Sequence, residues 1–168
     1  LWGAALAAGA QAYEHFGPGP RAEVAAVVAA QRLAASFEAS YASINCSDVI
    51  ELDWKNAEGK QVLKFFLKGG PVRCFNMTAG FARVTRREID ASFADAEIEA
   101  AEAPVSCAAL LARAMGADEQ HAVMAAGLAG GIGLSGGACG ALGAAVWLIE
   151  MARVAEGSGQ GEFNSAEA

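Results

Sequence analysis

The chain has 168 residues, 54% of them hydrophobic and 18% charged, which separates it from intrinsically disordered sequences and supplies enough material for a packed core. Its 41 alanines favour closely packed helices over sheet, so an all-α fold is expected, a compact bundle of about six helices. A formal net charge of −7 excludes general nucleic-acid binding, because phosphate contacts need a cationic surface.

The chain begins at Leu1 rather than Met, as a processed or partial product would. Its opening, LWGAALAAGAQA, has the composition of a signal-peptide core, but no basic segment precedes it. The sequence leaves the compartment open, with the cytoplasm slightly favoured over export. Trp2, Leu6, Gly9, Tyr13 and Phe16 follow one another at steps of four and three, which predicts an amphipathic helix over residues 1–16 with that stripe inward. The GPGP at 17–20 ends it. A second helix is expected from Arg21 to Ser40, with Val24, Val27, Ala30, Ala34, Phe37 and Tyr41 on one side, and a short third one after Asn45.

Residues 53–71, DWKNAEGKQVLKFFLKGGP, are rich in lysine and broken by Gly59, Gly69 and Gly70. They read as a loop excursion with a turn of helix or a short strand around Val62–Leu67. Pro71 then opens a helix that runs to Ile89. Asp90 to Glu102 contains five acids and no base and reads as a solvated connector, with an internal boundary near Pro104. It joins sub-segments 1–90 and 104–157 of a single domain covering residues 1–157. Three more helices are expected, Val105–Met115, Asp118–Ala129 and Cys139–Ala155, the second capped by Asp118. Residues 158–168 read as a flexible polar tail.

Ala122 to Ile149 is a run of 28 residues without a formal charge, long enough to span a membrane. Eight glycines between Gly127 and Gly143 make it a poor span, so no membrane span is expected. Two tightly packed buried helices joined at Gly133–Gly137 fit the text better. Gly131, Gly133 and Gly136 stand in G-x-G-x-x-G register, but the strand that a dinucleotide-binding turn needs is missing before them. Eight of the twelve bases lie between Lys55 and Arg87, either a solvated face or a steering patch for an acidic redox partner protein.

Four cysteines, Cys46, Cys74, Cys107 and Cys139, are widely spaced, with no C-x-x-C pair and no C-x-x-C-H, so no haem c is expected. Each sits in apolar phase on its predicted helix: Cys46 with Val49 and Ile50, Cys74 with Met77 and Phe81, Cys107 with Leu110 and Leu111, Cys139 with Leu142 and Val146. Two readings follow. Either these cysteines pack the core as small hydrophobes, or the fold gathers them into one redox or metal site. Gly136, Gly137 and Gly140 permit a tight connection that delivers Cys139 to the first turn of the last helix. No general base, activated nucleophile or carboxylate pair is identifiable, so the sequence assigns no enzymatic reaction.

The segments FEASYASINCSDVIELDW, PVRCFNMTAGFARV and VSCAALLARAMGADEQHAVMAAGLAGGIGLSGGACGALGAAV resemble the small bacterial redox-active proteins of the C_GCAxxC_C_C family, which share a CGAxxG signature. The signature is approximate here, since Gly143 follows Cys139 one residue early. The order is also permuted: segments that open the family's sequence fall at 105–146 here, and those that close it fall at 20–90. Leu1-Trp2-Gly3-Ala4-Ala5 moreover approximates Leu142-Gly143-Ala144-Ala145. The resemblance implies a redox or electron-transfer protein whose four cysteines bind an iron–sulfur cluster of the [2Fe–2S] type, with Gly136, Gly137 and Gly140 beside it. A cluster-free thiol/disulfide protein is the alternative. A permuted unit would complete the site within one chain, and a tandem fragment would complete it between two copies in a homo-oligomer.

Overall fold

The computed structural model describes residues 1–95, 98 and 105–157; the predicted tail at 158–168, residues 96–97 and 99–102 of the acidic connector and the boundary near Pro104 lie outside them. Among these residues the regular secondary structure is all helical, with no strand. The helices are α1 (Trp2–Phe16), α2 (Pro20–Tyr41), α3 (Cys46–Ile50), α4 (Gly59–Leu67), α5 (Gly70–Asp95), α6 (Cys107–Ala114), α7 (Glu119–Ala126) and α8 (Gly140–Ala155). Helices α1, α2 and α7 form the centre. Helix α5 packs on α2, and α6 and α8 lie together on the far side against α7.

The central helices meet on their alanines. Ala5, Ala8, Gly9 and Ala12 are the buried positions of α1, and Ala22, Ala25, Ala26, Ala29 and Ala30 belong to the buried face of α2. The expected stripe of α1 is thus displaced: Gly9 is on it, but Trp2 leaves 43% of its surface exposed. Of the side proposed for α2, Ala30, Ala34 and Phe37 are buried, whereas Val24 and Val27 are only partly so. The reason is steric. A methyl group lets two helix axes approach, and the branched side chains are left to wedge the flanks. Seventeen of the 26 buried hydrophobic side chains among the described residues are alanines, so the core depends on closeness of fit more than on the transfer of large groups.

Three further differences have local causes. The excursion at 53–71 holds a helix, α4, because Glu58 and Gln61 form a reciprocal capping box, the Glu58 N–H donating to Gln61 Oε1 at 2.8 Å. Helix α5 continues past Ile89 into the acidic segment, where Ser92 is fully buried and its hydroxyl donates to the Glu88 carbonyl at 2.7 Å. Beyond it Ile98 is buried against Ala22, Ala26 and Ala109, and Arg21 Nε donates to its carbonyl at 3.1 Å, so the connector is anchored rather than wholly solvated. Helix α7 is buried as expected, but α8 buries only Gly140, Gly143 and Ala144 and turns Leu142, Val146, Ile149 and Val154 outward.

One ion-paired group crosses the bundle. Glu23 in the first turn of α2 has a side chain only 3% exposed, and Arg113 Nη2 at the end of α6 donates to it at 2.6 Å. Arg113 also holds Glu119 of α7 at 2.8 Å. Hydrogen bonding to Glu119 and then to Glu23 raises the guanidinium pKa against the desolvation that opposes it, and Arg113 in turn lowers that of Glu119.

Gly9 tests the close approach. A Cβ there would meet the Val123 carbonyl at 2.7 Å and run into the Met124 backbone, whereas Gly3 on the same helix has open space. Gly9→Ala is expected to lower the melting temperature by roughly 4–8 °C, an overpacking cost of about 2 kcal/mol. Gly3→Ala should leave it unchanged or raise it slightly. Asp118 gives a pH-dependent test. Its carboxylate caps α7 by accepting the His121 N–H at 2.8 Å, which is the main cause of its pKa lying below the ordinary 3.8. Its contribution is therefore complete above that ordinary value and is lost as pH falls through the depressed one. Asp118→Ala should cost about 1 kcal/mol at neutral pH. In thermal melts, the gap between native chain and variant should narrow as acid is added.

Candidate functional site

A cavity of about 1060 Å³ opens between α1, the end of α2, α3, the middle of α5 and the turn at 131–138. Phe37, Phe81, Ile89 and Ile132 give it buried apolar walls, with the first two rings edge to face at 4.8 Å. Polar groups are few. Asn45 and Ser47 stand beside Cys46, Thr85 is 9% exposed on α5, and Arg86 is held by Asp90 at 3.2 Å. A large apolar space with sparse polar groups is the usual form of a site for a small organic molecule.

Cys46 lines this cavity as the first residue of α3. Its backbone is fixed by a small network on either side. The Ser43 hydroxyl donates to Asp48 Oδ2 at 2.7 Å and accepts the Asn45 N–H at 3.0 Å, and Asn45 Nδ2 donates to the same carboxylate oxygen at 3.1 Å. The Ser43 bond, then the Asn45 bond, hold the Asp48 carboxyl below the usual carboxylate range. The turn that closes the opposite wall is made by glycines. Gly136 and Gly137 have φ of 80° and 78°, the Gly136 N–H donates to Gly130 at 2.9 Å, and Ala138 lines the cavity immediately before Cys139. Cys139 is the N-cap residue of α8. A Cβ on Gly140 would run into the Leu128 carbonyl, and one on Gly143 into the Trp2 ring, so only glycine lets α8 start here.

Cys139 itself lines neither this cavity nor its neighbour, and the other two cysteines also lie elsewhere. Cys74 lines a neighbouring groove of about 710 Å³ with Tyr41, Phe65 and Arg73, separated from the first cavity by Val49 and Met77, which line both. Cys107 is the first residue of α6, beyond the Ser106 cap, and lines neither space. All four are free thiols; Cys46, Cys107 and Cys139 are exposed and Cys74 is half-buried. This corrects the expectation that all four face inward. The inward positions of the central helices are taken mostly by alanine, and of the larger apolar residues in phase with the cysteines only Phe81 is buried, the rest standing at the flank or the surface. Among the described residues no three His, Cys, Asp or Glu side chains group as ligands for a metal ion.

Compared with protein families, curated proteins and solved structures, the chain matches none. Sequence reasoning missed the polar groups on the cavity wall: Asn45 caps α3, Thr85 and Arg86 are neighbours on α5, and the two places meet only through tertiary packing. Met77 and Phe81, in phase with Cys74, were the visible part of that wall.

Exposure and turn geometry give two linked measurements. Under native conditions a small alkylating reagent should modify Cys46, Cys107 and Cys139 before Cys74, as read by peptide mass spectrometry; earliest modification of Cys74 would contradict the arrangement. Gly137→Ala meets open space and bears only the left-handed backbone cost, about 1 kcal/mol, or roughly 2–4 °C in melting temperature. Gly140→Ala should fall at least about twice as far and change the alkylation rate of Cys139, because the start of α8 must move.

Proposed function

We propose that this chain is a cysteine-based redox protein that exchanges thiols with a small disulfide held in the large cavity, with Cys46 as the attacking thiol. The observation that carries this reading is the position of Cys46: an exposed free thiol in the wall of an apolar cavity, on a backbone fixed by Ser43, Asn45 and Asp48. In the first step the Cys46 thiolate attacks one sulfur of the bound disulfide. The new sulfur–sulfur bond joins Cys46 to that half of the molecule, and the other half leaves as a thiolate. A second thiol then resolves the mixed disulfide, releasing the retained half as a thiol and leaving Cys46 in a new disulfide. Exposure of three of the four cysteines counts against a role confined to core packing.

The iron–sulfur cluster that the resemblance implies requires thiolates converging on one point. Among the described residues of a single chain no such group of ligands forms, which favours the cluster-free reading. A cluster of the [2Fe–2S] type would need cysteines from a second copy of the chain. Iron and acid-labile sulfide analysis of anaerobically purified protein, with its oligomeric state, distinguishes that form from the cluster-free one.

The test of the thiol reading is site-resolved. Reduced protein incubated with glutathione disulfide should form the mixed disulfide at Cys46 about tenfold faster than at Cys107 or Cys139, a barrier difference of about 1.4 kcal/mol. Cys46→Ser should remove the fast phase and leave the slow ones. Equal rates at the three exposed cysteines would overturn the assignment.

A further inference from the structure

The elbow between α4 and α5 is the most exposed apolar element of the described structure, and the cavity does not use it. Leu63, Phe66 and Leu67 on α4 and Val72 and Phe75 in the first turns of α5 each expose between 56% and 78% of their surface. The chain reverses at Gly69, with φ of 73°, and Gly70 lies flat against the Phe65 ring, where a Cβ has no room. Phe65 is thereby turned inward, its ring 5.7 Å from that of Trp54, and Leu63, Phe66 and Leu67 are left on the outer face at the i, i+3 and i+4 spacing of one helical stripe. Helix α4 packs chiefly on α5, so the elbow projects from the bundle.

Charge is concentrated at the same place. Residues 54–76 carry five bases, Lys55, Lys60, Lys64, Lys68 and Arg73, against one acid, Glu58, a formal +4 within a chain of −7. We propose that this elbow docks the protein on an anionic lipid surface, its apolar tip entering the interface between headgroups and acyl chains and its bases meeting the headgroups. Three features favour a lipid surface over a folded protein partner. Leu67 and Phe75, 78% and 76% exposed, are the most exposed apolar residues of the elbow and give it a tip to insert. The surrounding cations are mainly lysines, which protein interfaces disfavour and membrane-surface helices use, with long stems that reach past an apolar tip. Trp54, half-exposed at the base of the elbow, suits the headgroup level. No helix of the described residues is long and apolar enough to cross a membrane, so the contact is with the surface.

Co-sedimentation of the full chain with vesicles tests this. Binding to phosphatidylcholine vesicles containing phosphatidylserine should exceed binding to pure phosphatidylcholine by at least about tenfold at low salt, and should fall as salt screens the headgroups. Leu67→Glu with Phe75→Glu, both surface changes, should remove binding while circular dichroism and melting temperature stay as in the native chain. Lys60→Glu with Lys64→Glu should weaken it on the anionic vesicles. Absence of binding to either vesicle, equal binding to both, or undiminished binding of the Leu67→Glu/Phe75→Glu chain would overturn the proposal. So would self-association in sedimentation velocity that the same double substitution abolishes, since a second copy would then cover the elbow.

Discussion

At Gly9 the backbone of α1 lies against the Val123–Met124 backbone of α7, and at Gly127 the end of α7 lies against the Ala5 carbonyl of α1. The same kind of approach recurs at Gly133 against Ala30 and Gln31 of α2, and at Gly140 against Leu128. Four glycines therefore set the separation of the central helices and the point at which α8 leaves them. Alanines fill the remaining contact surface, because any larger group would hold the axes apart. The individual methyl groups contribute little each. What they permit is dense dispersion contact along whole helical faces, and this makes the arrangement sensitive to a single added carbon.

That economy of side-chain volume explains why one polar cluster can sit inside the bundle. Glu23 is almost fully buried, and one of its oxygens, Oε2, has no hydrogen-bond partner in the structure. A carboxylate in this position is tolerable only because Arg113 reaches it from α6. Arg113 remains 31% exposed on the side where Glu119 holds it, so the desolvation cost falls mainly on Glu23. The cluster gives three helices a fixed mutual orientation that smooth alanine faces alone do not specify.

The helical class was legible from composition, and most helix ends were legible from local chemistry: GPGP before α2, Asp118 before α7, and the glycines before α8. The inward faces were less so. Periodicity weights bulky residues, so it pointed to Trp2, Leu6 and Tyr13, whereas the contact surface is the alanine row one step around the helix. The same bias made the cysteines look buried, since apart from Phe81 the large apolar neighbours in phase with them flank the core or face solvent. Cys46 was visible as a candidate, but its cavity was not. The walls come from residues as distant as Trp2, Phe81 and Ile132, and no local spacing encodes their meeting.

Close packing at the centre has a consequence at the periphery. Because the core is filled by small residues, the larger apolar side chains have few places to go, and they emerge on α8 and on the α4–α5 elbow. Others wall a cavity, where Phe37, Phe81 and Ile132 surround space instead of closing it. Exposed apolar surface of this extent is costly unless something occupies it. The thiols follow the same distribution: Cys46 faces the cavity, Cys74 lies in the groove beside the elbow, and Cys139 stands at the head of the outward stripe of α8. In this fold the alanine and glycine contacts fill the centre, and the thiols and the large exposed apolar side chains are displaced together to its margins.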